Sequence, residues 1–217
     1  MKVKYQRIRE QVVVTARQML KEGLVTLTAG NISIRVPGED MVAVTPSGRP
    51  YDTMQPEDVP IITFDGQMVD GEFEPSSETP MHTMIMRELS DVNAVVHTHS
   101  PHALAFAVAH KPIPVICNEG LLARSMAVLV TEYAIPGTEE IGQKALETLS
   151  LQPGSRAVLL ANHGLLTIGA SIREAYVVAS NVETEAQVYQ LALTIGDPVP
   201  LTGEQLQAIF QRYQARK

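Results

Sequence analysis

A chain of 217 residues with 45% hydrophobic and 19% charged residues has the balance of a globular protein, and it is long enough to bury one sizeable core. The net charge of −7, without a basic cluster, argues against nucleic acid as a partner. The single cysteine, Cys117, excludes an internal disulfide and fits a reducing compartment. No N-terminal signal core and no long apolar run is present, so we expect a cytoplasmic protein with no membrane partner.

The first third of the chain predicts one helix followed by short strands. Apolar residues recur at helical spacing over residues 5–22, and Gly23 ends that helix. Extended segments follow at residues 32–36, 41–45 and 59–64. Asp65-Gly66 predicts a hairpin turn after the last of them.

The remaining chain alternates helices with apolar strands. Helices are predicted over 76–90, 101–109, 138–150, 171–195 and 202–213, the fourth from the capping box Ser171-Ile172-Arg173-Glu174. One buried strand carries His97 and His99, and another ends at His163. Residues 113–117 and 126–131 also look extended. The pattern predicts an α/β fold of α+β-like character, in which helices flank a central, mostly antiparallel sheet in three layers. We expect residues 1–217 to form a single domain.

Three histidines follow apolar runs. His97 and His99 lie two residues apart, so strand alternation places both imidazoles on one face. His163 closes a second apolar run and is followed by Gly164, which allows a close backbone approach. One such histidine is usually a core residue, but burying two adjacent imidazoles is costly unless something binds both. The pattern predicts a divalent metal site with an open coordination position.

Pro75-Ser76-Ser77-Glu78 precedes a predicted helix and has two interpretations. Ser and Glu are ordinary helix-start residues. The alternative is that hydroxyls and amides at this helix end hold a phosphate, with Glu78 as metal ligand or proton carrier. His82 lies four residues later and either orients Glu78 or is structural, while His102 and His110 look like surface or structural residues.

Two turns rich in small residues could complete an anion site. Gly30 and Asn31 stand just before a strand, and Ser47 and Gly48 stand in a turn after Thr45-Pro46. Either turn alone is common. Together with Ser76 and Ser77, however, they offer backbone amides and hydroxyls of the kind that build a phosphate nest.

In this order, Gly30-Asn31, Thr45-Pro46-Ser47-Gly48, Ser76-Ser77-Glu78, His97-Thr98-His99 and Asn162-His163-Gly164 resemble the motifs of the class II aldolase/adducin family. Within it, the chain looks closest to the branch that cleaves fuculose phosphate. The resemblance runs from about residue 22 to residue 213. It implies a metal-dependent lyase that splits a phosphorylated ketose into dihydroxyacetone phosphate and a small aldehyde through a zinc-stabilised enediolate. It also implies a homotetramer with sites between subunits.

The resemblance assigns roles to the residues of these motifs. His97, His99 and His163 would bind one Zn²⁺ per subunit, or another divalent metal. Glu78 would be the fourth ligand at rest and would carry the proton to and from the enediolate carbon. The phosphate of the sugar substrate would rest on Gly30, Asn31, Ser47, Gly48, Ser76 and Ser77.

The chain departs from the family where the aldehyde end of the substrate would lie. The aldolase has a tyrosine there, reaching in from a neighbouring subunit, whereas this chain reads Ile116-Cys117-Asn118-Glu119-Gly120. Glu119 could take over that acid role, or it could be an ordinary exposed loop carboxylate. The related 4-epimerases use an aspartate in this region, and this chain has none between Asp91 and Asp197.

Other functions remain open alternatives. Another sugar-phosphate enzyme of the family, such as an epimerase, dehydratase or decarboxylase, would use the same motifs. A non-catalytic adducin-like module need not keep three histidines and an acid, and this chain has all four. A Schiff-base aldolase is disfavoured, because no lysine stands in an apolar strand where its pKa would fall.

Overall fold

The computed structural model describes residues 4–214, so residues 1–3 and 215–217 of the predicted domain lie outside the described residues. The helices of this range are α1 Gln6–Lys21, α2 Thr79–Glu88, α3 Pro101–Ala109, α4 Glu139–Ser150, α5 Ile172–Ile195 and α6 Gly203–Gln214. The strands are β1 Asn31–Arg35, β2 Met41–Val44, β3 Ile61–Thr63, β4 Met68–Asp70, β5 Ala94–Thr98, β6 Ile113–Pro114, β7 Ala127–Val128, β8 Ala157–Leu160 and β9 Gly164–Gly169. Short 3₁₀ helices span Pro56–Asp58 and Glu119–Ala123.

Seven strands form the central sheet in the order β4-β3-β2-β1-β5-β9-β8. Every neighbouring pair in this sheet is antiparallel, and β6 and β7 form a separate antiparallel pair. The predicted fold class, a mostly antiparallel sheet with helices packed on it, is therefore confirmed. The structure also confirms the hairpin at Asp65-Gly66, where Gly66 has a φ of 80° between β3 and β4.

The sheet separates two apolar cores, which makes three layers. Alternation along β5 sends Val96 into the core beneath α1, α3 and α5, and Val95 into the core beneath α2 and α4. His97 has the parity of Val95, so its side chain points toward the α2 face. Asn31 is the register partner of His97 on β1, which places both residues at the sheet position where α2 begins.

The α2 helix begins later than predicted. It runs from Thr79 rather than residue 76, and it ends at Glu88 rather than residue 90. The backbone of Ser76 instead donates to Thr45 O at 3.0 Å, and Pro46 and Pro75 form an isolated β-bridge. This pairing keeps the chain extended up to the helix, so Glu78 occupies the N-cap position.

The strand predicted to end at His163 is a hairpin. Its first strand, β8, ends at Leu160. A turn then leads into β9, a strand that was not predicted from the sequence. Asn162 adopts a left-handed φ of 56° in this turn. His163 therefore lies on the turn, where its backbone N–H donates to Leu160 O at 3.0 Å.

The C-terminal helices follow the predicted boundaries closely. The Ser171 hydroxyl accepts from Glu174 N at 3.2 Å, as the capping box predicts, although the Glu174 carboxylate accepts from Ala170 N instead of Ser171 N. Within residues 4–214, no helix combines the length and the apolar character that a membrane span needs.

Gly30 allows the chain to approach the backbone of β5 closely. It has a φ of 70°, and a Cβ there would lie 2.5 Å from His97 O and 2.8 Å from Val25 Cγ1. A left-handed φ costs an L-residue about 1–2 kcal/mol. The additional overlap with backbone must displace β5 itself, because a carbonyl of a central strand cannot rotate away.

We therefore expect Gly30→Ala to destabilise the fold far more than Gly23→Ala. Gly23 has a similar φ of 73°, but a Cβ added there would meet nothing within 4 Å, so that control should lose only about 1–2 kcal/mol. Urea unfolding of both variants measures the difference. Equal losses would show that the contact between Gly30 and β5 imposes no constraint.

Candidate metal centre

Three histidines converge at the end of β5 and the β8–β9 turn. The ring centroids of His97, His99 and His163 lie 4.7–5.1 Å apart, and one nitrogen of each lies within 4.8 Å of the others. His97 Nε2 and His99 Nε2 are 3.0 Å apart. The register of β5 with β9 brings these distant segments together, since Thr98 pairs with Leu165, two residues after His163.

Glu78 faces the three imidazoles from the start of α2. Its Oε2 lies 3.3 Å from His97 Nε2, and its Oε1 lies 3.1 Å from His163 Nε2. The residue is only 7% exposed, so this carboxylate is removed from bulk water. The structure thus brings together all four residues for which metal ligation was predicted.

Asn31 holds this carboxylate in place. Its Nδ2 donates to Glu78 Oε2 at 2.6 Å inside the protein. The sequence interpretation placed Asn31 only at the phosphate, because Asn31 and Glu78 are 47 positions apart and no local pattern joins them. The contact between Asn31 and Glu78 follows from the pairing of β1 with β5, in which Asn31 lies directly opposite His97.

The imidazoles are neutral and offer lone pairs. Burial lowers the pKa of His97 well below its usual value, and it also lowers the pKa of His99 and His163. His97 Nδ1 contacts Leu165 O at 3.0 Å, and a carbonyl can only accept, so the proton of neutral His97 lies on Nδ1. Its Nε2 lone pair then points at the Glu78 carboxylate. Two acceptors held 3.3 Å apart repel each other unless a cation lies between them, so these residues fit a divalent ion.

The other histidines support the site without facing it. His82 Nδ1 shares a hydrogen bond of 2.7 Å with Ser33 Oγ, and complete burial lowers the pKa of His82 to about 3. His82 is thus a neutral bridge between α2 and β1. His110 Nε2 donates to Asn162 Oδ1 at 2.6 Å, which braces the turn that carries His163.

The three segments predicted to hold phosphate are neighbours. Thr45 joins them through two hydrogen bonds. Its hydroxyl accepts from Ile32 N at 3.1 Å, directly after Gly30 and Asn31. Its carbonyl accepts from Ser76 N. Ser47 N donates to Glu74 O at 2.9 Å. Ser47, Gly48 and Ser77 lie at least partly open to solvent. The result is an open, polar surface next to the buried carboxylate of Glu78.

Glu119 lies with a different group of side chains. One carboxylate oxygen of Glu119, Cys117 Sγ and one carboxylate oxygen of Glu185 all lie within 4.8 Å of one another. A hydrogen bond from the Cys117 side chain lowers the pKa of Glu119, so it is a carboxylate at neutral pH. Within one chain, Glu119 therefore groups with α5 and not with the three histidines.

Comparison with known proteins gives consistent matches along the chain. The family model described as the class II aldolase and adducin N-terminal domain matches residues 10–190. A 5-deoxy-D-ribulose 1-phosphate aldolase of Bacillus thuringiensis serovar kurstaki is 36% identical over 96% of each chain. An L-fuculose phosphate aldolase of Escherichia coli is 32% identical over 96% of this chain and 94% of its own. The solved structure of an L-fuculose 1-phosphate aldolase superposes with a TM-score of 0.90, at 30% identity over 96% of both chains.

The geometry predicts how divalent metal content responds to substitution. We expect His97→Ala to lose bound metal, because the variant removes one of three imidazoles and leaves Glu78 facing a void. The loss of affinity should exceed the roughly 10–100-fold that follows loss of an outer-shell partner. His102→Ala is the control, since His102 Nδ1 instead contacts Gln190 Oε1 at 2.7 Å. Elemental analysis after dialysis should find metal in the wild type and the control only, and equal metal in all three proteins would contradict the site.

Proposed function

Because this chain belongs to the class II aldolase and adducin family and is a lyase of the aldolase type, we propose that it is a metal-dependent aldolase that splits a 1-phosphorylated ketose. The products would be dihydroxyacetone phosphate and a small aldehyde. The observation that carries the proposal is the buried Glu78 carboxylate in contact with His97 and His163, two members of a cluster of three imidazoles. Zinc is the ion we assign, because three imidazoles and a carboxylate are typical zinc ligands.

The relatives support a phosphate at the dihydroxyacetone end. Both named substrates, 5-deoxy-D-ribulose 1-phosphate and L-fuculose phosphate, would leave dihydroxyacetone phosphate when the bond between C3 and C4 breaks. The remaining fragment would be acetaldehyde from the first and lactaldehyde from the second. We assign the phosphate to the segments of Gly30, Asn31, Ser47, Gly48, Ser76 and Ser77, of which Ser47, Gly48 and Ser77 are open to solvent and the hydroxyls of Ser47 and Ser77 can donate.

The metal would be held by His97, His99 and His163, with Glu78 as the fourth ligand at rest. When bound, it would supply Lewis-acid stabilisation, worth several kcal/mol, to negative charge that develops on the substrate carbonyl oxygen.

Two carboxylates would move the protons. Cleavage leaves an electron pair at C3 and an aldehyde at C4, so the C4 hydroxyl must lose a proton and C3 must gain one. Glu78 would deliver the proton to C3, with its other oxygen steadied by Asn31 Nδ2. Glu119, whose pKa is lowered by the Cys117 hydrogen bond, would accept the proton of the C4 hydroxyl. In the condensation direction both transfers reverse.

The position of Glu119 supports an assembly in which neighbouring subunits share the site. Glu119 groups with Cys117 and Glu185 instead of the histidines of its own chain. We propose a homotetramer in which the loop of one subunit brings Glu119 to the metal centre of the next. Glu119 would then occupy the aldehyde end of that site.

Product formation tests the proposed reaction. Metal-loaded protein incubated with dihydroxyacetone phosphate and a panel of short aldehydes should yield 1-phosphorylated ketoses, and a chelator should remove nearly all of this activity. Borohydride treatment with substrate should leave no protein adduct, because no Schiff base is involved. Failure to condense any aldehyde would contradict the aldolase proposal, and activity that survives the chelator would contradict the role of the metal.

Glu78→Gln separates proton transfer from metal binding. The variant keeps three imidazoles, so it should retain metal, whereas loss of the proton carrier should slow turnover by roughly 10²–10⁴-fold. Steady-state cleavage and elemental analysis of the same preparation measure both effects. Near-normal turnover in the metal-loaded variant would remove Glu78 from its assigned role.

A further inference from the structure

Glu185 is a buried carboxylate outside the histidine cluster. It lies on α5 and is only 2% exposed. The buried side of the same helix is otherwise apolar, with Val178, Val182 and Ala186 at helical spacing around it. A buried carboxylate carries a large desolvation cost unless hydrogen bonds satisfy it, so its position on an apolar stripe calls for partners.

Its partners all come from the loop that precedes Glu119. Glu185 Oε1 accepts from Ile116 N at 2.5 Å and from Cys117 N at 3.2 Å, and Cys117 Sγ donates to Oε2 at 2.6 Å. Burial and the contact with Glu185 raise the pKa of the Cys117 thiol to about 12, so the thiol keeps its proton and remains a donor at neutral pH. Three donors from two consecutive residues thus fasten this loop to α5.

Gly120, the residue after Glu119, also packs against the Glu185 carboxylate. A Cβ at Gly120 would lie 2.6 Å from Glu185 Oε1 and 3.2 Å from Val115 Cγ1. On the other side, Leu201 N donates to Val115 O at 2.9 Å, and Val115 packs with Leu121 and Leu206 in a small separate core. The segment that carries Glu119 is therefore held between α5 and the approach to α6.

We propose that Glu185 is the positioning residue that sets Glu119 at the aldehyde end of the substrate. This inference rests on the proposed function, because it assigns Glu185 to the proton transfer at C4. The carboxylate fixes the backbone at Ile116 and Cys117, and a carboxylate oxygen of Glu119 lies within 4.8 Å of Cys117 Sγ and of Glu185. Glu185 would act through these contacts and not by touching the substrate or the metal.

Two half-reactions distinguish this role from general support of the fold. Exchange of the C3 hydrogen of dihydroxyacetone phosphate with solvent needs the metal and Glu78 but no aldehyde-end group. Cleavage of a 1-phosphorylated ketose needs Glu119 as well. Glu185→Leu should therefore lower kcat for cleavage by about 10–100-fold, since a displacement of about 1 Å can cost that much, while exchange stays within about twofold.

A rescue variant, a control variant and a double variant make the test specific. Glu185→Gln keeps an oxygen that can accept from Ile116 N and Cys117 N, so it should restore cleavage to within about fivefold of the wild type. Val182→Ala removes bulk from the same buried stripe without removing a hydrogen bond to the loop, and it should leave the ratio of cleavage to exchange unchanged. In a Glu119→Gln background, Glu185→Leu should lower kcat for cleavage by less than about a further threefold, because both residues act in one step.

Each outcome decides the question. A selective loss of cleavage in Glu185→Leu, with rescue by Glu185→Gln, supports the positioning role. Normal cleavage, a parallel loss of cleavage and exchange, or independent effects of Glu119 and Glu185 would overturn it while leaving the proposed function intact. Absence of both reactions in the metal-loaded wild type would instead contradict the proposed function.

Discussion

Glu78 is buried against the imidazoles of His97 and His163 and held by the side-chain amide of Asn31, and these contacts join α2, β1, β5 and the β8–β9 turn. A carboxylate removed from water is costly unless paired, and the nearby imidazoles are neutral because burial lowers their pKa. The elements of the sheet therefore assemble a set of lone pairs and negative charge that a divalent cation would satisfy. Such an ion would complete the fold locally and also supply the chemistry.

In the proposed reaction, the two ends of the substrate would meet parts of the protein that are built differently. The residues assigned to the phosphate and the three histidines lie in or directly beside the strands of the central sheet, where Gly30 lies against the backbone of His97. Glu119 stands at the start of a 3₁₀ helix, directly after a loop that the side chain of Glu185 fastens to α5. Such a division allows the loop to change with the aldehyde while the metal centre stays as it is, which fits relatives named for different sugar phosphates.

Period-two alternation was enough to predict that His97 and His99 share a face, and helical spacing placed most helices. The start of α2 was wrong because Ser-Ser-Glu is typical of a helix N-terminus, whereas here Ser76 pairs with Thr45 first. β9 was missed because Asn162 was taken as part of the strand that ends at His163, whereas asparagine tolerates the left-handed conformation that it adopts in the turn here. Asn31 with Glu78, and Cys117 with Glu185, are separated by 47 and 68 residues, and local patterns carry no information about such pairs.

X-ray absorption at the zinc edge of the zinc-loaded wild type tests the metal centre most directly. We predict three imidazole nitrogens and one carboxylate oxygen at roughly 2.0–2.2 Å, with the oxygen contribution altered in Glu78→Gln and the three imidazoles unchanged. Fewer than three imidazoles, or sulfur scattering from Cys117, would place the ion elsewhere and contradict this metal centre.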